Sequence, residues 1–159
     1  MCQSFLPIIA QSSRIVNVSS VAGHLHNFNS PGLVSSLTSP SLTIPRLTTL
    51  IESYLTLLRS GIDPSTHGWP RNCYSVTKAA TTALTNILAR ENPDRQINSC
   101  CPGWVDTDMG NKVGKPPKTL EEGARIPVRL AVGDTQGVTG AFWENQSGRD
   151  TGWGRVSVW

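Results

Sequence analysis

The chain has 159 residues, 38% of them hydrophobic and 16% charged, with a formal net charge of +3 and 14 Gly beside 11 Pro. That length suits one domain of ordinary size, the hydrophobic fraction is too high for a disordered chain, and the charge is too low for a coiled coil. No Lys/Arg cluster gives a footprint for nucleic acid, and apolar runs such as Phe5 to Ala10, with Pro7 inside, fall far short of a membrane span.

In chain order, Met1 to Ala10 reads as the tail of an apolar helix, with Phe5, Leu6, Ile8 and Ile9 close together. The β-branched run Arg14-Ile15-Val16-Asn17-Val18, leading into Ser19-Ser20, has the pattern of a buried strand, and Val21-Ala22-Gly23 is its exit. From His24 to about Pro45, Ser, Thr, Pro and Gly without periodicity predict loop. Leu47, Leu50, Ile51, Tyr54, Leu55 and Leu58 fall on one helix face, and Gly61 and Pro64 end that helix. A second helix is expected from Tyr74 to about Glu91, stopped by Asn92-Pro93. Gln96 to Cys101 reads as a buried strand broken by Pro102-Gly103. A helix is predicted over Leu120 to Val132, with Glu121 and Glu122 at its positive end and Pro127 as a kink or split. Gly137 to Trp143 is the last predicted strand, before a tail containing Gly and Trp.

Strand alternating with helix is the pattern of an α/β domain, a parallel sheet covered by helices. In open sheets of this kind ligands sit beyond the carboxyl ends of the strands. Ser19-Ser20 and Pro102 to Asp108 occupy those positions. No repeat or linker divides the chain, so one domain is expected over residues 1–159. The four cysteines form no C-x-x-C pair and read as buried reduced thiols. His24-Leu25-His26 could offer two metal ligands, but no Cys, Asp or Glu nearby completes a set, so a plain loop and no metal are expected.

Tyr74 and Lys78 are four apart at a helix start, so both side chains project from one face. A phenol is a poor proton donor at neutral pH, and an ammonium beside it, helped by the helix's positive end, stabilises the phenolate and brings acid/base work within reach. Ser20, delivered by the neighbouring strand, can hold a carbonyl oxygen against the tyrosine. Tyr-x-x-x-Lys alone is weak; with Ser-Ser upstream and Pro-Gly downstream it becomes specific.

With these residues together, the chain resembles the short-chain dehydrogenases/reductases. The resemblance rests on Val16-Asn17-Val18-Ser19-Ser20-Val21-Ala22-Gly23, Tyr74-Ser75-Val76-Thr77-Lys78 and Pro102-Gly103-Trp104-Val105. It is most similar to their carbonyl reductase branch, through Gly68-Trp69-Pro70, Cys100-Cys101 before Pro102, and Thr107-Asp108-Met109. A long helical and loop insertion at about 24–69 also matches that branch, where it shapes the substrate pocket and accompanies monomers. The resemblance implies a partial Rossmann fold, the C-terminal part of a doubly wound parallel sheet with flanking helices. It implies NADPH-dependent reduction of a ketone, aldehyde or quinone, with Ser20 orienting substrate, Tyr74 as proton donor and Lys78 both lowering the tyrosine pKa and holding the nicotinamide ribose. Tyr74, Lys78, Pro102, Gly103, Val105, Asp106 and Thr107 are then the cofactor-binding residues, and a small carbonyl compound is the partner, in the cytoplasm, without nucleic acid or membrane.

The family's first half opens with a Gly-rich turn that receives the pyrophosphate at a helix N-terminus. The chain is read as lacking that Gly-x-x-x-Gly-x-Gly turn, along with an Asn-Asn-Ala-Gly stretch and the family's helix asparagine. The chain therefore reads as the carboxyl-side portion of a longer reductase domain. A first strand left bare on one edge predicts association through that edge. Two other functions compete with this one. Ser75-Val76-Thr77-Lys78 also fits S-x-x-K, the nucleophile motif of penicillin-recognising hydrolases, but its companion Ser-Asp-Asn and Lys-Thr-Gly elements are absent. A truncated, non-catalytic fragment or pseudoenzyme, acting as an interaction module, is the other.

Overall fold

The structure, a computed structural model, describes residues 2–159. Its sheet has the order β1-β2-β3-β4. β1 (Arg14–Val18) and β2 (Gln96–Cys100) run parallel, with Arg14 opposite Gln96 and Val18 opposite Cys100. β3 (Phe142–Glu144) is parallel to β2, and β4 (Arg155–Ser157) returns antiparallel to β3. Period-two alternation sends the residues of β1 to opposite faces. Val16 packs with Cys100, Ile126, Leu130 and Trp143 on one side, while Ile15 joins Leu88, Ala89 and Ile97 on the other.

Each face is covered by one helix. α4 (Cys73–Glu91) buries Val76, Ala79, Ala83, Ile87 and Leu88, its small residues allowing close approach to the sheet. α5 (Leu120–Val132) covers the opposite face through Ile126 and Leu130 and begins with a capping box between Thr119 and Glu122. Pro127 neither splits nor ends α5, because buried residues on the turns either side of it hold both halves against the sheet.

The insertion is more ordered than its composition predicts. Within the expected loop from His24 to Pro45 lies α2 (Pro31–Thr38): the Ser30 side chain accepts from Leu33 N–H at 3.3 Å, Pro31 occupies the first turn, and Leu37 is buried. α3 (Ile44–Arg59) starts earlier than the apolar spacing implies, because Thr43 caps it and Pro45 fits its first turn. Leu47 and Tyr54 of α3 pack with Leu37, Trp69 and Val76 in one cluster, where the Tyr54 and Trp69 rings lie 5.4 Å apart.

Three further boundaries differ from expectation. The amino-terminal helix α1 (Cys2–Phe5) ends two residues before Pro7 rather than reaching Ala10. The predicted strand from Gly137 to Trp143 is paired only from Phe142, because the Asn98 side chain ties the preceding residues into a turn: its Nδ2 donates to Val138 C=O at 2.8 Å and its Oδ1 accepts from Ala141 N–H at 3.0 Å. The tail then supplies β4. Of the cysteines, Cys100 and Cys101 are buried as expected, but Cys73 is exposed and Cys2 partly so; all are free thiols. Burial pushes the Cys100 thiol up to about 12.

Candidate active site

The site is built where β1 ends against α4. Ser19 is buried, and its Oγ donates to Lys78 C=O at 2.8 Å and lies 2.9 Å from Thr82 Oγ1. The chain then turns sharply through Val21–Gly23, a single 3-10 turn capped by Ser20, whose Oγ accepts from Ala22 N–H at 3.1 Å. That turn sits directly on α4: a Cβ at Gly23 would come within 2.6 Å of Ala79 N and Lys78 C, both backbone atoms. Glycine is needed there for close approach, not for its backbone angles. Trp159 closes the far side, its Nε1 donating to Gly23 C=O at 2.8 Å, so it packs against the core, whereas Trp153 is exposed.

The first two turns of α4 present Tyr74 and Lys78. The Asn72 side chain caps the helix by accepting from Tyr74 N–H at 2.8 Å. Tyr74 is 38% exposed, and Lys78 Nζ lies 5.4 Å from its ring centroid. The same ammonium donates to Val18 C=O, the last carbonyl of β1, at 2.9 Å. The structure thus brings Ser20, Tyr74 and Lys78 to one end of the sheet on two packed elements. Ser75, between them, is buried inside α4 and is no accessible nucleophile.

The segment after β2 forms the second wall. Pro102 follows Cys101, and Gly103 adopts φ +90°, a conformation other residues rarely take. Beneath this turn lies Lys118, only 1% exposed, with its Nζ donating to Pro102 C=O at 3.2 Å. Val105 bridges to Lys118 and packs on Gly123 of α5. The polar side chains of Asp106 and Thr107 are engaged within the loop: Asp106 Oδ1 accepts from Asn111 Nδ2 at 2.6 Å, and Thr107 Oγ1 accepts from Gly110 N–H at 3.0 Å. Trp104 Nε1 donates to Gly110 C=O at 2.9 Å and braces the same loop.

Nothing in Lys115-Pro116-Pro117-Lys118 marks Lys118 for burial. Burial holds its ammonium below the usual lysine range. Unfolding therefore takes up a proton as pH rises from the depressed value toward the ordinary value of about 10.4, and stability rises across that window. Cys100 and Tyr54 act in the opposite sense, because burial raises both and only the unfolded forms ionise at high pH. The Lys118 part is isolated by comparing urea midpoints of wild type and Lys118→Met at neutral pH and at pH values approaching the ordinary lysine value of about 10.4. The wild type gains on the variant as pH rises.

The two imidazoles in the first loop serve structure. His24 Nε2 pairs with Glu144 Oε2 at 3.1 Å, stacks on His26 at 5.4 Å and meets Phe142 edge-on at 5.3 Å. Glu144 also accepts from Ser157, so this carboxylate ties the loop after Ser20 to β3 and β4. Among the described residues no cluster of three or more His, Cys, Asp or Glu could hold a metal, and no helix is long and apolar enough to cross a membrane.

The Gly-x-x-x-Gly-x-Gly spacing that the chain is expected to lack does occur, in the tail, as Gly148-Arg149-Asp150-Thr151-Gly152-Trp153-Gly154. It joins β3 to β4 and opens no helix. Asp150 accepts from Gly152 N–H at 2.9 Å and Gln146 N–H at 3.1 Å, so a carboxylate already holds amides that a phosphate would need.

A sequence model described as enoyl-(acyl carrier protein) reductase matches residues 33–143. This β/α architecture, with a tyrosine and lysine on one helix beside a strand-end serine, defines a short-chain oxidoreductase scaffold. The chain belongs to the short-chain dehydrogenase/reductase family. Among its relatives are carbonyl reductase [NADPH] 1 of Rattus norvegicus, 40% identical over 83% of this chain and 49% of that protein, and its Homo sapiens counterpart, 37% identical over 89% and 53%. The solved structure of salutaridine reductase from Papaver somniferum superposes with a TM-score of 0.78 at 33% identity, covering 89% of this chain and 49% of that one. The chain spans about half the length of the curated relatives it matches.

Proposed function

We propose that this chain carries the carbonyl-reducing side of an NADPH-dependent reductase site, acting on a small ketone, aldehyde or quinone in the cytoplasm. The observation that supports it most is the placement of an exposed Tyr74 with Lys78 Nζ 5.4 Å from its ring centroid, on the helix against which the turn capped by Ser20 is seated.

The residues fit the nicotinamide end of the cofactor. Gly103 follows β2 and Lys78 reaches the last carbonyl of β1, so both stand at the carboxyl ends of adjacent parallel strands, where ligands of such sheets sit. Lys78 would hold the ribose, and Pro102, Gly103, Val105, Asp106 and Thr107 would line the nicotinamide side. When bound, NADPH supplies the hydride. Ser20 Oγ, which accepts from Ala22 N–H, keeps its own proton free to donate to the carbonyl oxygen. Tyr74 gives its phenolic proton to that oxygen as negative charge develops there. Lys78 and the positive end of α4 favour the tyrosinate left behind.

No Gly-rich strand-to-helix turn stands among these residues to receive the pyrophosphate, so the reading predicts weak binding. A fluorescence titration of NADPH against the purified chain should give a dissociation constant well above the micromolar range. Micromolar binding by a monomer would contradict this account of which half of the site is present.

A further inference from the structure

Lys118 holds the wall after β2 on alternate residues. Its Nζ donates to Pro102 C=O at 3.2 Å, its backbone N–H donates to Trp104 C=O at 3.3 Å, and its C=O accepts from Asp106 N–H at 2.9 Å. The two backbone bonds make the parallel bridge between Val105 and Lys118. In a planar trans peptide the C=O and the following N–H point in opposite directions. With Trp104 C=O directed at Lys118, Val105 N–H is turned away from it, and among the described residues that N–H has no partner.

The lysine side chain holds the other end of the same segment. The peptide joining Pro102 to Gly103 is fixed twice, its C=O by Nζ and its N–H by Cys101 Sγ at 3.4 Å. The lysine stem also fills the space that a side chain at position 103 would need: a Cβ there would lie 2.8 Å from Cε and closer still to Nζ. Glycine at φ +90° is the freest joint in this wall, and the ammonium clamps it.

Packing alone does not require an ammonium in this place. Lys118 is 1% exposed, its Nζ has Pro102 C=O as acceptor, and no carboxylate pairs with it among the described residues. Burying a charge so sparsely partnered costs stability, and an apolar side chain of similar length would fill the space without that cost.

We propose that Lys118 is a positioning residue for the cofactor. Its ammonium locks the Pro102–Gly103 peptide, so that the backbone from Gly103 to Val105 meets the nicotinamide end already in place, and less ordering is left for binding to supply. Lys118 acts through the turn above it. The locking rests on geometry alone; its use rests on the function proposed above, in which Pro102, Gly103 and Val105 line the nicotinamide side.

Amide hydrogen exchange and NADPH titration of the full chain, as wild type, Lys118→Met and Lys118→Gln, test the inference. Loss of a hydrogen bond from a charged donor should speed exchange at Gly103 by about tenfold or more, while Asp106, held by the Lys118 backbone, keeps its wild-type rate. NADPH, followed through the Val105 amide signal, should bind both variants about tenfold more weakly. The urea midpoint of Lys118→Met at neutral pH should not fall, because methionine buries no charge. Equal Gly103 exchange in all three proteins would overturn the locking. Faster exchange with unchanged NADPH affinity, or failure of both variants to fold, would make Lys118 a structural residue and overturn the positioning. A wild type whose Val105 signal does not respond to NADPH would overturn the cofactor reading itself, while the exchange comparison still decides the locking.

Discussion

Replacing Tyr74 with phenylalanine is expected to lower carbonyl reduction by about 10²- to 10⁴-fold, the range typical for a lost general acid. The substitution removes one oxygen and leaves the rest of the turn in place. The helix cap uses the backbone N–H of residue 74, and Lys78 lies over the ring rather than on the hydroxyl. Cofactor affinity and folding stability should therefore stay close to wild type. The loss should fall on kcat rather than on KM, as for an interaction made in the transition state. Initial rates with and without the hydroxyl, beside NADPH titrations of both proteins, separate these effects. Rates that survived the change would remove Tyr74 from the chemistry.

Gly23→Ala should produce a different pattern, with stability and activity falling together. The new Cβ would sit 2.6 Å from Ala79 N and from Lys78 C, and neither atom can swing aside as a side-chain tip can. Relief requires the Val21–Gly23 turn to lift from α4. Such a shift strains the Ser19 hydrogen bond to Lys78 C=O and the Trp159 contact to Gly23 C=O. Overpacking of this kind costs about 1–3 kcal/mol, and a clash with helix backbone rather than a side-chain tip places this site at the upper end. The urea midpoint should drop with an unchanged slope. A variant as stable as wild type would mean that the turn is not seated on α4 as described.

The contrast shows what the sequence could and could not announce. β1, β2 and α4 were legible because apolar periodicity and breakers coincide there, and the four-residue spacing alone puts Tyr74 and Lys78 on one face. α2 was hidden because Pro31, Gly32, Ser35 and Ser36 make the composition of a loop, although Ser30 followed by Pro31 is itself a helix-start signature. β4 was not legible: Arg155–Ser157 is too short to carry a pattern and exists only by pairing with β3. The serines illustrate the same limit within the site. Ser19 and Ser20 look alike in sequence, yet one is buried and locks β1 to α4 while the other caps an accessible turn. Lys118 lies beneath Gly103 only because the chain folds back over it, and no local feature marks a lysine for burial. The glycine spacing from 148 to 154 is the converse case, a matching pattern whose surroundings assign it to a strand connection.

The central claim is that Ser20, Tyr74 and Lys78 together reduce a carbonyl with hydride from NADPH. The most direct measurement is single-turnover transfer of deuterium from NADPH labelled at the nicotinamide to an aromatic ketone, with the cofactor in large excess to offset weak binding. The account predicts deuterium on the former carbonyl carbon of the alcohol, formed slowly by the wild type and at least about a hundredfold more slowly by Tyr74→Phe. Equal transfer by the two proteins, or no labelled alcohol from the wild type, would contradict it.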